Sequence, residues 1–414
     1  MGISRRTVLT GAAAATAASS LSIRAARAQA APVKIGFMGE LTGPAAPVGL
    51  PNRLGAEAAR NYINRNGGIA GKQLELVILD NASNPNQAVS ALREFASRGV
   101  NLIVGPSITG TALAVQPLLT ELKLIACYMG TPEIRFTHEL FTRNAFQTAQ
   151  SNWTRQHQIG QFLSQRFPAI REFTGAIPDV AAGHGGWAGF SQGVKNMYPK
   201  NAKHDVTMLN PTLSKFGATD FKQQLAELMS SPAKGFWTML FGSDGITFYQ
   251  QAQQFGLSKK FDAMVDYGID IDLPKTLKRN VPGAVWSSSY WYYGATAETP
   301  MTKEVIRLFT ENGDPYPHGF ALSGHAPVMA YAAAIAATGS TETDKVIAGM
   351  EGREFETLTG KVYYRKEDHQ FVGRTYLVNW EPTQADPGWR AREWVAIEDK
   401  DVINAPRPGQ KWEG

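Results

Sequence analysis

The chain has 414 residues, 43% of them hydrophobic, more than one core usually holds, so two domains are expected. Its formal net charge of +5 is unevenly placed: of 41 basic side chains, four (Arg5, Arg6, Arg24, Arg27) lie in residues 1–30 without an acidic neighbour, leaving 37 basic against 36 acidic beyond them. That near-neutral balance removes the support a basic chain would give to nucleic acid or anionic lipid as a partner. A single cysteine, Cys127, excludes an intramolecular disulfide and a Cys-rich zinc site.

Residues 1–30 read as an address. Ser4-Arg5-Arg6-Thr7-Val8-Leu9, an Ala-rich run to Ile23 and Ala28-Gln29-Ala30 form a twin-arginine export signal with a small-residue cleavage site, which places the mature chain in the periplasm. The run is too short and too poor in strongly apolar residues for a spanning helix, as is the Ala-rich stretch Ala326 to Ala337, so the chain is not expected to span a membrane itself.

From Val33 onward, short β-rich runs alternate with helical ones, the pattern of a parallel sheet with crossover helices. Strands are predicted at Val33 to Met38, Leu74 to Leu79, Val100 to Val104 and Leu124 to Tyr128. Pro51 to Asn66 and Gln87 to Ser97 each place apolar residues on one helical face. A second series follows Asn152, with strands at Phe173 to Ile177, Val206 to Leu209, Gly235 to Phe241 and Asp262 to Val265. Its helices run from Gly185 to Tyr198, Asp220 to Ser230 and Ile246 to Phe255. The same kind of lobe is built twice. After Gly283 come a strand, helices over Thr302 to Asn312, Ala326 to Thr338 and Asp344 to Met350, and β-rich pieces at Gly360 to Tyr364 and Thr375 to Trp380. The proline-bearing tail from Glu381 reads as irregular chain.

Catalytic and metal motifs do not hold. Gly189-Phe190-Ser191-Gln192-Gly193 matches a nucleophile elbow, which needs a strand-to-helix turn, but it lies within a helical run. Ser231-Pro232-Ala233-Lys234 has its serine after a helix and no Lys-Thr-Gly triplet behind it. Gly67 to Lys72 is followed by Gln73 and a strand, not by a hydroxyl residue and a helix as a phosphate loop requires. The seven histidines, His138 included, have no ligand spacing. No cofactor or metal is expected.

The informative loops are those at the carboxyl ends of the strands, where open parallel sheets bind ligands. Gly105-Pro106-Ser107-Ile108-Thr109-Gly110-Thr111 and Tyr128-Met129-Gly130-Thr131-Pro132 bring hydroxyls and small residues to helix N-termini, which suit a carboxylate. Ordinary helix capping explains each loop singly; two converging loops point to binding. Asp266, and secondarily Asp244, could accept from an ammonium group or serve as a cap. Of the aromatic run Tyr290-Trp291-Tyr292-Tyr293, period-2 alternation sends only some inward, Tyr290 among the candidates for stacking on ligand.

Lys34-Ile35-Gly36-Phe37, Leu41-Thr42-Gly43-Pro44, Asn66-Gly67-Gly68-Ile69, Val104-Gly105-Pro106, Pro178-Asp179, Thr219-Asp220-Phe221, Gly242-Ser243-Asp244, Gln254-Phe255-Gly256-Leu257 and Gly360-Lys361-Val362-Tyr363 together resemble the leucine/isoleucine/valine-binding proteins of bacterial ABC transporters. The resemblance covers nearly the whole mature chain. It implies an α/β type I periplasmic binding fold, two doubly wound parallel-sheet lobes joined by a three-strand hinge. Lobe 1 would span residues 31–148 and 285–360, lobe 2 residues 149–284 and 361–414, with crossings near 145–152, 280–289 and 359–365.

The resemblance also implies a non-enzymatic solute-binding protein that closes on its ligand. The ligand would be a small carboxylate-containing solute: a branched-chain or other amino acid, an amide or an aromatic acid. Its partners would be an ABC permease and its ATPase subunits, and it would act as a monomer. Implied contacts are Val48, Ser107, Thr109, Gly110, Thr111, Tyr128, Met129, Gly130, Thr131, Ala182, His184, Ser243, Asp244, Asp266, Tyr267 and Tyr290. Val48 and Ala182 stand where amino-acid binders of the family often have an aromatic residue, which implies a wider cleft. A sensor of the same fold and an exported serine hydrolase using Ser191 are the alternatives.

Overall fold

The computed structural model describes residues 31–413; the expected export signal lies outside them. Two parallel sheets organise the chain. The first has the order β2-β1-β3-β4-β5, from Leu74–Asp80 (β2), Val33–Gly39 (β1), Leu102–Val104 (β3), Ile125–Tyr128 (β4) and Ala145–Gln147 (β5). All its pairings are parallel. Order reverses between β1 and β3, the switch point where such sheets open a crevice. Val33, Ile35 and Phe37 pack with Leu54, Ala58 and Ile63 of helix α1 (Ala46–Arg65), while Leu92 and Phe95 of α2 (Pro85–Ser97) cover the opposite face. Sheet strands buried on both faces read as unbroken apolar runs, and Leu102-Ile103-Val104 is one.

After helix α3 (Thr109–Val115) and β5, the chain enters helix α4 (Asn152–Arg166) and the second sheet. Its parallel part takes β6 (Glu172–Pro178), β7 (Thr207–Met208), β8 (Thr212–Ser214), β9 (Gly235–Thr238), β10 (Ala263–Asp266) and β11 (Val285–Ser289). Helices α5 (Ala181–Asn201), α6 (Lys222–Ser230), α7 (Gly242–Phe255) and α8 (Asp272–Leu277) connect them. The chain then returns to the first lobe, where α9 (Pro300–Glu311) and α10 (Ala321–Thr338) pack on α1, followed by α11 (Thr343–Met350). A small antiparallel sheet follows, of β12 (Glu354–Thr357), β13 (Gly360–Tyr364) and β14 (Phe371–Val372), with Tyr364 packed on Phe146. Finally β15 (Arg374–Pro382) and β16 (Trp389–Glu398) extend the second sheet in antiparallel fashion.

Three expectations are corrected. Strand β11 pairs with β10 and β15 in the second sheet, so the chain leaves that lobe after Ser289 and not within 280–289. Gly360–Tyr364 belongs to the small sheet, so the third passage falls between Tyr364 and Arg374. The tail is not irregular from Glu381: its prolines delimit a hairpin whose second arm, Trp389–Glu398, pairs along β15. Among the described residues, no helix is long and apolar enough to cross a membrane.

Candidate ligand-binding cleft

The first-lobe loops meet at a buried carboxylate. Glu40, at the end of β1, accepts from Ser107 N–H at 3.1 and 3.2 Å, from Thr111 Oγ1 at 3.0 Å and from Asn81 Nδ2 at 3.0 Å. Asn52 Nδ2 donates to Ser107 Oγ at 3.2 Å. Of the groups expected to receive a ligand carboxylate in this loop, the Ser107 N–H and the Thr111 hydroxyl are therefore occupied within the protein. Thr109 is half-buried and Gly110 open at the start of α3.

The next loop divides differently. The Tyr128 side chain turns into the first-lobe core, on Phe136 and with its hydroxyl donating to Gln116 Oε1, because β4 alternates faces and this position faces α3. Met129 is buried in the core, and its N–H donates to Pro106 O. Gly130 has φ +56° and faces the Phe320 ring. Thr131 is fully buried with its Oγ1 lacking a partner. Val48 is half-buried in the first turn of α1.

In the second lobe, several expected contacts serve structure. Ala182 and His184 are exposed at the start of α5, with the His184 ring 2.8 Å from Asp179 Oδ1. Ser243 is exposed, and Asp244 Oδ2 accepts from Gly217 N–H at 2.8 Å, which ties loop 215–218 to α7. Asp266 is fully buried and accepts from the N–H groups of Gly268, Ile269 and Asp270 at 3.1–3.3 Å, capping the turn after β10. Burial outweighs these donors and pushes its pKa up to about 7. Neither aspartate offers a free carboxylate to an ammonium group.

Tyr267 and Tyr290 do converge, on a residue that sequence reasoning missed. Arg155, in the second turn of α4, is 5% exposed. Its guanidinium lies 4.3 Å from the centre of the Tyr267 ring and 4.2 Å from that of Tyr290. Nη2 donates to Ser288 Oγ at 2.8 Å and to Ser288 O at 3.3 Å, while the buried Nε has no partner. Asn152, in the first turn of the same helix, accepts from Tyr267 Oη at 3.1 Å, and its N–H donates to Pro132 O at 2.9 Å. That last bond sets Thr131 beside the helix carrying Arg155.

The first lobe reaches the same place through His318-Gly319-Phe320. Phe320 stacks on His318, lies 5.7 Å from Tyr290 and faces Gly130. A Cβ on Gly319 would fall 2.2 Å from Ser289 Oγ, so only glycine lets this segment lie against β11. Asp270 Oδ2 accepts from Ser289 Oγ at 2.7 Å, and the His318 ring lies 3.8 Å from the same oxygen. Burial raises the pKa of Asp270, against His318, the Ser289 bond and Arg155. A cavity of about 350 Å³ opens between Pro47, Leu50 and Leu54 of α1 and Asp272, Lys275 and His318. Trp291, next to Tyr290, is packed in the core and donates to Thr296 Oγ1.

Ser191 lies in the middle of α5, with no strand-to-helix turn at it. The glycines flanking it meet α4: a Cβ on Gly193 would fall 2.4 Å from Gln156 O, and one on Gly189 3.0 Å from Asn152 Nδ2. The elbow-like string is a helix-packing seam. Cys127 is a buried core residue whose pKa burial raises to about 12. Among the described residues, no cluster of metal-ligating side chains occurs.

Two α/β lobes, each ending its strands in loops that face an aromatic, polar cleft, define a two-lobed solute clamp of the type I periplasmic binding fold. The family model described as "Periplasmic binding protein" matches residues 32–386, and the chain belongs to that family. Leu/Ile/Val-binding protein homolog 1 of Brucella suis is 24% identical over 360 residues, 85% of this chain and 91% of that one. Among solved structures, a branched-chain amino acid ABC transporter periplasmic ligand-binding protein of Burkholderia xenovorans superposes with a TM-score of 0.77 at 20% identity, covering 91% of this chain and 99% of that chain. A solute-binding protein of an ABC transporter from Rhodopseudomonas palustris, in complex with 3,4-dihydroxybenzoic acid, has a TM-score of 0.71 at 20% identity, covering 89% and 98%.

Proposed function

We propose that the protein is the periplasmic solute-binding component of an ABC importer, exported through its twin-arginine signal and working as a monomer. It captures a small carboxylate-containing solute between its lobes and presents the closed form to a permease and its ATPases, without turnover. The lobes divide at the three passages near 148–152, 290–299 and 365–373, about which they swing. The observation that carries this reading is the meeting of both lobes on one cleft, where Tyr290, at the passage out of the second lobe, lies between Arg155 of the second and Phe320 of the first. Closure there is a hinge motion whose energy is the ligand's preference for the closed state. Relatives named for leucine, isoleucine and valine, and a fold neighbour holding a dihydroxybenzoic acid, support a carboxylate ligand.

The test is a thermal-shift screen of the mature protein, unfolded and refolded to remove carried ligand, against amino acids, amides, short-chain acids and aromatic acids. A rise in Tm with one chemical class and no product supports the proposal. Hydrolysis of an ester or amide that is lost in Ser191→Ala would replace it with the hydrolase reading.

A further inference from the structure

A buried arginine without a carboxylate partner is costly unless something outside the fold completes it. Arg155 is such a residue, with Asp270 acting on it only from beyond ion-pair distance. Its charge sits between two tyrosine rings, its Nε has no acceptor, and among the described residues it forms no ion pair. Tyrosine faces stabilise a cation but supply no acceptor to the guanidinium edge. Arg155 stands in the second turn of α4, the positive end of a 15-residue helix, so the helix dipole adds to the same potential. Thr131, whose hydroxyl has no partner, directly precedes Pro132, whose carbonyl accepts from Asn152 in the first turn of that helix. Both groups suit a carboxylate: two donors from the guanidinium fork and one from the hydroxyl.

Three of the carboxylates near the cleft are held within the protein. Asp266 is saturated by three backbone donors, Asp244 holds Gly217, and Glu40 holds Ser107 and Thr111. Asp270 gives one oxygen to Ser289 and His318 and acts on Arg155 from beyond ion-pair distance. An α-ammonium group entering this cleft would have to share Asp270 with His318, Ser289 and Arg155, whereas a carboxylate would find a guanidinium bonded only to Ser288. The surfaces around it, Tyr267, Tyr290 and Phe320, are planar and aromatic.

We infer that Arg155 is the anion anchor of the cleft and its chief specificity determinant, selecting an aromatic monocarboxylate over a zwitterionic amino acid. The acid's carboxylate pairs with the guanidinium, and its ring lies against Tyr290 and Phe320. This inference rests on the solute-binding reading above and narrows it.

The experiment is isothermal titration of the refolded mature protein with benzoate, 4-hydroxybenzoate, benzamide and leucine, for wild type, Arg155→Lys and Arg155→Met. The expected result is binding of one or both benzoates, with benzamide and leucine at least about 100-fold weaker. Arg155→Met should lose at least about 100-fold on the acid and much less on benzamide, which carries no charge to pair with the guanidinium, and Arg155→Lys should recover part of the loss. The comparison of acid with amide on wild type needs no variant and stands if Arg155→Met fails to fold. Acid binding unchanged in Arg155→Met overturns the inference, as does wild type that binds leucine or benzamide but not the benzoates; in both cases the solute-binding reading survives. Wild type that binds none of the four overturns the inference, and a blank in the broad thermal-shift screen as well would bring down the solute-binding reading with it.

Discussion

Glu40 shows how one side chain can set the shape of a binding loop without touching ligand. A buried carboxylate at a strand end is tolerable only because backbone and side-chain donors surround it, here Ser107 N–H, Thr111 Oγ1 and Asn81 Nδ2. Removing it leaves those donors buried without an acceptor, and an orphaned donor costs about 1–3 kcal/mol. Glu40→Ala should therefore lose about 2–4 kcal/mol in urea unfolding. Thr111→Ala, which removes only one partner of the carboxylate, should lose about 1 kcal/mol. Equal losses would mean that the Ser107 bonds contribute little. Ligand affinity in Glu40→Ala should fall as well, because the loop carrying Ser107 and Thr109 is no longer held in register.

At the scale of elements, α4 and α5 pack with their backbones nearly touching. Gly160 and Gly193 face each other, each with room for no Cβ: one on Gly160 would lie 2.4 Å from Gly193 O, and one on Gly193 2.4 Å from Gln156 O. Rigid helix backbone stands on both sides, so a side chain there must push the helices apart. Gly193→Val should destabilise by more than about 3 kcal/mol, whereas Ser191→Ala on the half-buried side of the same helix should stay within about 0.5 kcal/mol. A chemical-denaturation series over the two variants measures the difference. The same helix pair explains what the sequence could and could not convey. Apolar runs such as Leu102–Val104, and amphipathic helices such as Pro85–Ser97, carry their periodicity openly, and with the family resemblance they made the two lobes legible. Helix α4 buries Arg155, Gln156, His157 and Gln158, polar residues that leave no hydrophobic period to read. With the helix unseen, its arginine was unseen too. An arginine shortly after the first passage between lobes was the only available signal, and charge alone does not separate a buried cation from a solvated one. The candidate aspartates divide: Asp266 takes the capping role, one of its two readings, through the turn that directly follows it, whereas Asp244 holds Gly217, 27 residues earlier, a partner the local pattern does not reveal.

Across the whole molecule, the lobes are coupled by buried polar groups and by a shared apolar core. Asp399, after β16, accepts from Gln150 at the first passage, Gln158 of α4 and Gly373 at the third, and burial outweighs these bonds to push its pKa up to about 7. For an acid raised in the folded state, the protonated form is favoured by folding. Its contribution is therefore full below the unfolded value of 3.8 and is lost as pH rises through about 7. Asp399→Asn should cost more stability at pH 4.5 than at pH 8, read as the gap between wild type and variant in urea midpoints at each pH; a gap that widens with pH reverses the sign and contradicts the raised value. The core itself does not stop at the lobe boundary. One apolar cluster takes in Ile35 and Cys127 of the first sheet, Phe236 and Met264 of the second, and Tyr290 and Trp291 where the chain passes back. Each lobe is also discontinuous in sequence, so neither can finish folding before the chain has entered the other. Two domains of this size often melt separately, but here calorimetry should give a single transition. Ligand binds only when both lobes are folded, so it should move that whole transition upward, by about 2.7 kcal/mol of stabilisation at 100 times Kd and a further ~1.4 for each tenfold more ligand. Two peaks, with only one shifted by ligand, would place the binding site within a single lobe and remove the closure mechanism.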